Sequence, residues 1–154
     1  MYMGHYGAAL AAKGITKEAP LWLLMVASMA TDIVLFGDEL VGINADQVHH
    51  SLWPGNILLA IGFAIFAFAL TRSLSVSAII AVVVLSHWIL DIPVAFGIYS
   101  IPWLDLLTES LLVFIGWLLY RRSIPAASRS SWMSPTILVA LLFFQCIWFV
   151  MISI

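Results

Sequence analysis

The chain is short of charge. Only 9% of its 154 residues are Asp, Glu, Lys or Arg, against 64% hydrophobic ones, and its mean hydropathy is +1.11. A water-soluble domain carries roughly 25% charged residues. This chain cannot cover a water-facing surface and is expected to be an integral membrane protein in contact with a lipid bilayer. It has one cysteine, Cys146. That excludes an internal disulfide and a CxxC-type metal site, and Cys146, in an apolar run, reads as helix filler. The net charge is only -2 and no basic patch is present, so nucleic acid has no support as a partner. The first long apolar run lacks an A-x-A cleavage site and reads as a retained span rather than a signal peptide.

Scarcest of all is positive charge beside the negative charges that need it. Lys13, Lys17, Arg72, Arg121, Arg122 and Arg129 all lie at the edges of apolar runs. Asp32, Asp91, Asp105 and Glu109 lie within them. A bare carboxylate in hydrocarbon is costly, so each must be protonated, paired or bound to a metal. The only other basic or metal-ligating groups of this kind are His5, His49, His50 and His87.

Residues 1–13 read as a short alanine-rich helix that stops at Gly14. It is too short to span a bilayer, which takes about 20 residues at about 1.5 Å each. It is re-entrant, interfacial or packed against other helices. Spans are expected at about 20–36, 54–71, 76–98, 101–120 and 135–154. The fold is then an all-α polytopic membrane bundle, five transmembrane helices plus the short N-terminal helix, in one domain over 1–154. Pro20 suits a helix start, and Pro93 should kink the third span just after Asp91. With alternating topology all six basic residues fall on one side, which the positive-inside rule makes cytoplasmic. The 37–53 loop and the C-terminus then face outward. Trp53 and Trp103 fit the outer boundary, and Trp22, Trp117 and Trp132 the inner one.

This topology brings the acids to one level. Asp32 is near the outer end of span one, His87 and Asp91 are in the outer half of span three, and Asp105 and Glu109 are in the first two turns of span four. His49 and His50 lie just before span two. His5 precedes Lys13 by eight residues, roughly 12 Å of helix, which would raise it to the depth of His87. His87 and Asp91 are spaced i,i+4 and share a helix face, as do Asp105 and Glu109. A mixed His/Asp/Glu set suits zinc, manganese or iron better than calcium or magnesium. The ligands would suffice for two ions about 3.5–4 Å apart. Blander readings stand beside these. Asp105 is also a candidate helix cap after Pro102, and His49 a solvated loop residue. Asp38, Glu39 and Asp46 read as surface charges. Span 135–154 has no charge. It is a structural helix or one that binds other membrane subunits, with Gln145 as a candidate interhelical hydrogen bond.

The segments GHYGAALAAK (4–13), MATDIVLFGDELVGI (29–43), HHSL (49–52), VLSHWILDIP (84–93) and LTESLLVFIGWLLY (107–120) carry a resemblance. Together they resemble the bacterial membrane-bound metal-dependent hydrolases of the YdjM-like type. The His…Asp…His-Ser…His-x-x-x-Asp order is similar, more distantly, to zinc-dependent phospholipase C. The resemblance covers roughly residues 3–120. It implies that His5, Asp32, His50 (next to Ser51), His87 and Asp91 hold a divalent metal, zinc first and manganese or iron next. Glu109 matches an acidic residue of the following helix. Relatives often carry a further His/Arg/Asp-containing loop after the His-x-x-x-Asp helix, where this chain has the apolar VAFGIYSIPW.

The leading expectation is therefore a metal-dependent hydrolase of the bacterial inner membrane, with its site toward the outer leaflet. It would act on a phosphoester such as a lipid head group, with Glu109 or Asp105 as general base or further ligand. An alternative is a non-catalytic accessory subunit of a larger complex that keeps a relic or structural ion. A proton or metal-ion transporter ranks third, because the cytoplasmic halves of spans two to four offer no polar path.

Overall fold

A backbone in hydrocarbon has to satisfy its own hydrogen bonds, so long apolar runs become helices. The computed structural model describes residues 3–40, 42, 53–95, 101–125 and 133–153, and every regular element among them is helical. In chain order these are α1 (Gly4–Ile15), α2 (Leu21–Ser28), α3 (Ala30–Leu40), α4 (Trp53–Thr71), α5 (Leu74–Ala95), α6 (Pro102–Ser123) and α7 (Met133–Ser153). Three contain stretches long and apolar enough to cross a membrane: Leu74–Asp91, Pro102–Ser123 and Ser134–Met151. They correspond to the last three of the five expected spans. The apolar part of α4, Gly55–Thr71, is shorter. Pro93 does not end α5, which continues to Ala95.

The run expected as a single span over 20–36 is two helices. Met29 separates α2 from α3 with φ -107° and ψ 8°. One cause is local: the Ser28 hydroxyl donates to the Met25 carbonyl at 2.9 Å, and such a bond competes with the helical ladder. The other is tertiary: the Ser28 carbonyl accepts a hydrogen bond from His87 on α5.

α1 is packed rather than peripheral. His5, Ala9, Leu10 and Ala12 are buried, and α1 runs parallel to α6 at close range. Gly7 meets Leu112 and Gly116, and Gly14 meets Leu119. A Cβ on Gly7 would overlap the Leu112 carbonyl, and one on Gly116 would overlap the backbone of Gly7. Only glycine permits this approach, the small-residue contact that membrane helices use where lipid supplies no hydrophobic drive. The parallel register sets Lys13 and Arg121 at the same end of the molecule.

Beyond this pair, alanines do most of the packing. Ala9, Ala12, Ala19, Ala27 and Ala30 of the N-terminal part meet Ala60 and Ala67 of α4 and Val76, Ile80, Val83 and Val84 of α5. A second cluster joins Leu10, Trp117 and Tyr120 to Leu138 and Leu141 of α7. Trp117, expected at the inner boundary, is buried, and its indole N–H donates to the Ser134 carbonyl at 2.8 Å. The outward faces of α4 and α7 are apolar, as at Leu58, Ile65, Phe143 and Met151.

Candidate metal centre

Three separate parts of the chain supply the centre. α5 presents His87 and Asp91 one turn apart, the α1–α6 contact carries in His5, and the first turn of α3 brings Asp32. The His5 and His87 rings lie with centroids 3.7 Å apart, tilted by 33°. His87 Nε2 is 3.2 Å from Asp91 Oδ2 and 3.2 Å from Asp32 Oδ1, and His5 Nε2 is 3.4 Å from Asp91 Oδ1. Both histidines are buried, while Asp32 and Asp91 keep 21% and 18% of their side-chain surface exposed. The centre is therefore enclosed by protein on the histidine side and open on the carboxylate side.

The proton on His87 can be located from its partner. Nδ1 lies 2.9 Å from the Ser28 carbonyl. A carbonyl only accepts, so Nδ1 carries the hydrogen. In the neutral ring Nε2 then bears a lone pair, and it faces two carboxylate oxygens that also only accept. Three acceptors converging on one point require a proton or a metal ion among them. The proton sits on His87 Nε2, making an imidazolium, or on one of the carboxyl groups; otherwise a metal ion takes the position. Histidines that bind metal characteristically donate the other ring N–H to a backbone carbonyl or carboxylate, which fixes the tautomer. His87 has that arrangement.

His87 Nε2, both ring nitrogens of His5 and Asp32 Oδ2 are buried without a well-aligned hydrogen-bond partner among the described residues. The polar atoms are close but not aligned on one another. Two ligands about 2.0–2.1 Å from a shared ion at tetrahedral angles lie roughly 3.3–3.4 Å apart, close to the 3.2–3.4 Å found here. His5, His87 and Asp91 each offer an atom within 4.8 Å of the others, and this group could hold a metal ion. Among the described residues Asp32 makes its direct contact with the group at His87.

The other expected site residues are elsewhere. Glu109 is fully buried on α6, and its Oε2 accepts the Met3 backbone N–H at 3.3 Å. Asp105 is buried in the first turn of α6; the N-cap there is Ile101, so Asp105 is not the cap. Neither joins the His5–His87–Asp91 group among the described residues. His50, with Ser51, lies outside the described residues.

Two supports of the centre had no reading in the sequence. The Ser28 carbonyl is a backbone group, which a sequence does not flag. Thr31 donates from Oγ1 to Asn56 Oδ1 at 2.8 Å, both side chains being buried. This bond ties α3 to α4 beside Asp32. Its signal was available: Asn56 is an isolated amide near the start of an apolar helix, and such groups in a membrane seek a partner. No protein-family model, curated protein or solved structure matches the chain.

Proposed function

We propose that the protein is a membrane-embedded metal-dependent hydrolase. His5, His87 and Asp91 would hold one divalent ion, and the substrate would be a phosphoester at the membrane surface. The observation that carries the reading is the convergence of unaligned, unpartnered histidine nitrogens and carboxylate oxygens at 3.2–3.4 Å. Two imidazoles and a carboxylate favour zinc, with manganese or iron next. Three protein ligands are also the number typical of catalytic zinc sites, which keep one position open, whereas structural sites close with four. An ion held there would polarise a phosphoryl oxygen and lower the pKa of a neighbouring water.

The chain's own groups supply the rest. His87, locked by Ser28, keeps Nε2 turned toward the ion. Asp32 has one oxygen on His87 Nε2 and the other unpartnered, and we assign it as proton acceptor in preference to Glu109 or Asp105. The partial exposure of Asp32 and Asp91 gives a head group access. The motif resemblance to the YdjM-like hydrolases supports the same reading. The positive-inside rule supports a site toward the outer leaflet of a bacterial inner membrane, with the basic ends cytoplasmic.

Element analysis of detergent-purified protein tests the reading. About one zinc, manganese or iron per chain is expected, and His87→Ala or Asp91→Ala should lose it. Wild-type protein that stays metal-free after incubation with each ion would sink the hydrolase. It would establish instead a protonated histidine network of the kind an accessory subunit could carry.

A further inference from the structure

We infer that Glu109 is a positioning residue that fixes His5 at the centre by anchoring the N-terminus of α1. The inference rests on the metal reading of the same site and gives Glu109 a different task from that of a general base.

A fully buried carboxylate in a membrane-like helix needs a reason. Glu109 has one in the Met3 backbone N–H, which lies 3.3 Å from its Oε2. Met3 is the N-cap of α1 and has no side-chain hydrogen bond of its own to close the helix start. The first amides of a helix lack intrahelical partners, and its N-terminus attracts negative charge. Glu109 therefore caps α1 from a neighbouring helix. His5 follows Met3 by two residues, less than one turn away, so whatever fixes Met3 along the helix axis also fixes His5.

The rest of the α1–α6 contact leaves that axis to Glu109. Gly7 and Gly116 bring the two backbones into direct contact, which sets their separation. Smooth backbone-on-backbone contact between glycines supplies little resistance to sliding. A shift of one residue along α1, about 1.5 Å, would take His5 Nε2 away from Asp91, from which it is now 3.4 Å. Glu109 supplies a polar contact between the two helices that sets the register at the His5 end.

The two ends of the bond can be removed independently. Glu109→Ala deletes the acceptor. Met3→Pro deletes the donor N–H while leaving Glu109 in place, at a φ of -81° that proline nearly matches. Full-length wild type, Glu109→Ala, Met3→Pro, the double variant and Glu109→Gln are compared in detergent, with cobalt(II) as spectroscopic probe. Hydrogen exchange over residues 4–12 is followed in the metal-free proteins.

Both single variants should weaken cobalt binding by about 10- to 100-fold, the usual effect of losing a group that orients a ligand. Both should shift the cobalt absorption in the same way and speed exchange in α1. The double variant should be no worse than Glu109→Ala, since both changes remove the Met3–Glu109 bond. Glu109→Gln, whose amide oxygen still accepts, should stay close to wild type. Weakening by Glu109→Ala with wild-type behaviour in Met3→Pro would overturn the inference and make Glu109 a ligand or base. Unchanged exchange in both variants would also overturn it, whether or not they fold as tightly. A wild type that takes up no cobalt refutes the metal reading, while the exchange data still decide whether Glu109 anchors α1.

Discussion

His87 makes a demand that its neighbours meet only in part. Its Nδ1–H is satisfied by Ser28, and its Nε2 faces Asp32 and Asp91 equally, at 3.2 Å each. The two carboxylates are nonetheless not equivalent. Asp91 also touches His5 and belongs to the group that could hold an ion, whereas among the described residues Asp32 makes its direct contact at His87. The i,i+4 spacing made His87 and Asp91 legible as a pair in the sequence. The partners Asp32 and His5 were legible only as candidates, because their approach depends on how α1 and α3 pack. Asparagine keeps the shape of either carboxylate and removes its charge. Asp91→Asn should lower zinc affinity by at least about 100-fold, or roughly 2.7 kcal/mol. Asp32→Asn should cost about 10-fold or less, as a group outside the ligand set does, while abolishing hydrolysis. Competition titration against a chelating dye measures both. Equal losses would make Asp32 a ligand and the site a closed one.

Helices were the most legible elements, since a long apolar run has no other stable form in lipid. What could not be read was where one of them stops. The run from Leu21 to Phe36 contains no proline or glycine, so no local signal announced the break at Met29. It follows from Ser28, whose hydroxyl bonds back to Met25 and whose carbonyl is drawn to a histidine 59 positions on. The docking of α1 was equally hidden. Its glycines suggested a turn at Gly14, but the role of Gly7 depends on Gly116, which lies on another helix. That contact gives a test of α1 as a structural unit. Gly116→Ala forces a Cβ into the Gly7 backbone, an overpacking expected to cost about 1–3 kcal/mol. Gly62→Ala on α4 meets nothing within 4 Å and should be neutral or slightly stabilising, as removal of an unneeded helix glycine is. Thermal unfolding in detergent, followed by circular dichroism, compares the two. Equal stabilities would mean that α1 yields without cost and does not depend on the glycine contact.

For the molecule as a whole, the bilayer explains what no soluble environment would. Large apolar side chains such as Leu58, Ile65, Phe143 and Met151 are more than half exposed, and the polar groups are gathered inside. Lys13 and Arg121 fall at one end through the parallel register of α1 and α6. Arg72 lies between α4 and α5, at the start of a helix whose other end holds Asp91. Arg72 and the candidate centre therefore occupy opposite ends of α5, with Lys13 and Arg121 at the end of α1 and α6 away from His5, and that polarity predicts the orientation. Cysteine labelling in sealed vesicles checks it once Cys146 has been replaced by serine. Ser75 lies exposed in the first turn of α5 on the basic side, and Ile101 is exposed just before α6 on the other. In inside-out vesicles a membrane-impermeant maleimide should modify Ser75→Cys and spare Ile101→Cys. Right-side-out vesicles should give the reverse. Labelling of both positions from one side would remove α5 as a membrane span. Reversed labelling would turn the centre toward the cytoplasm, where an outer-leaflet substrate could not reach it.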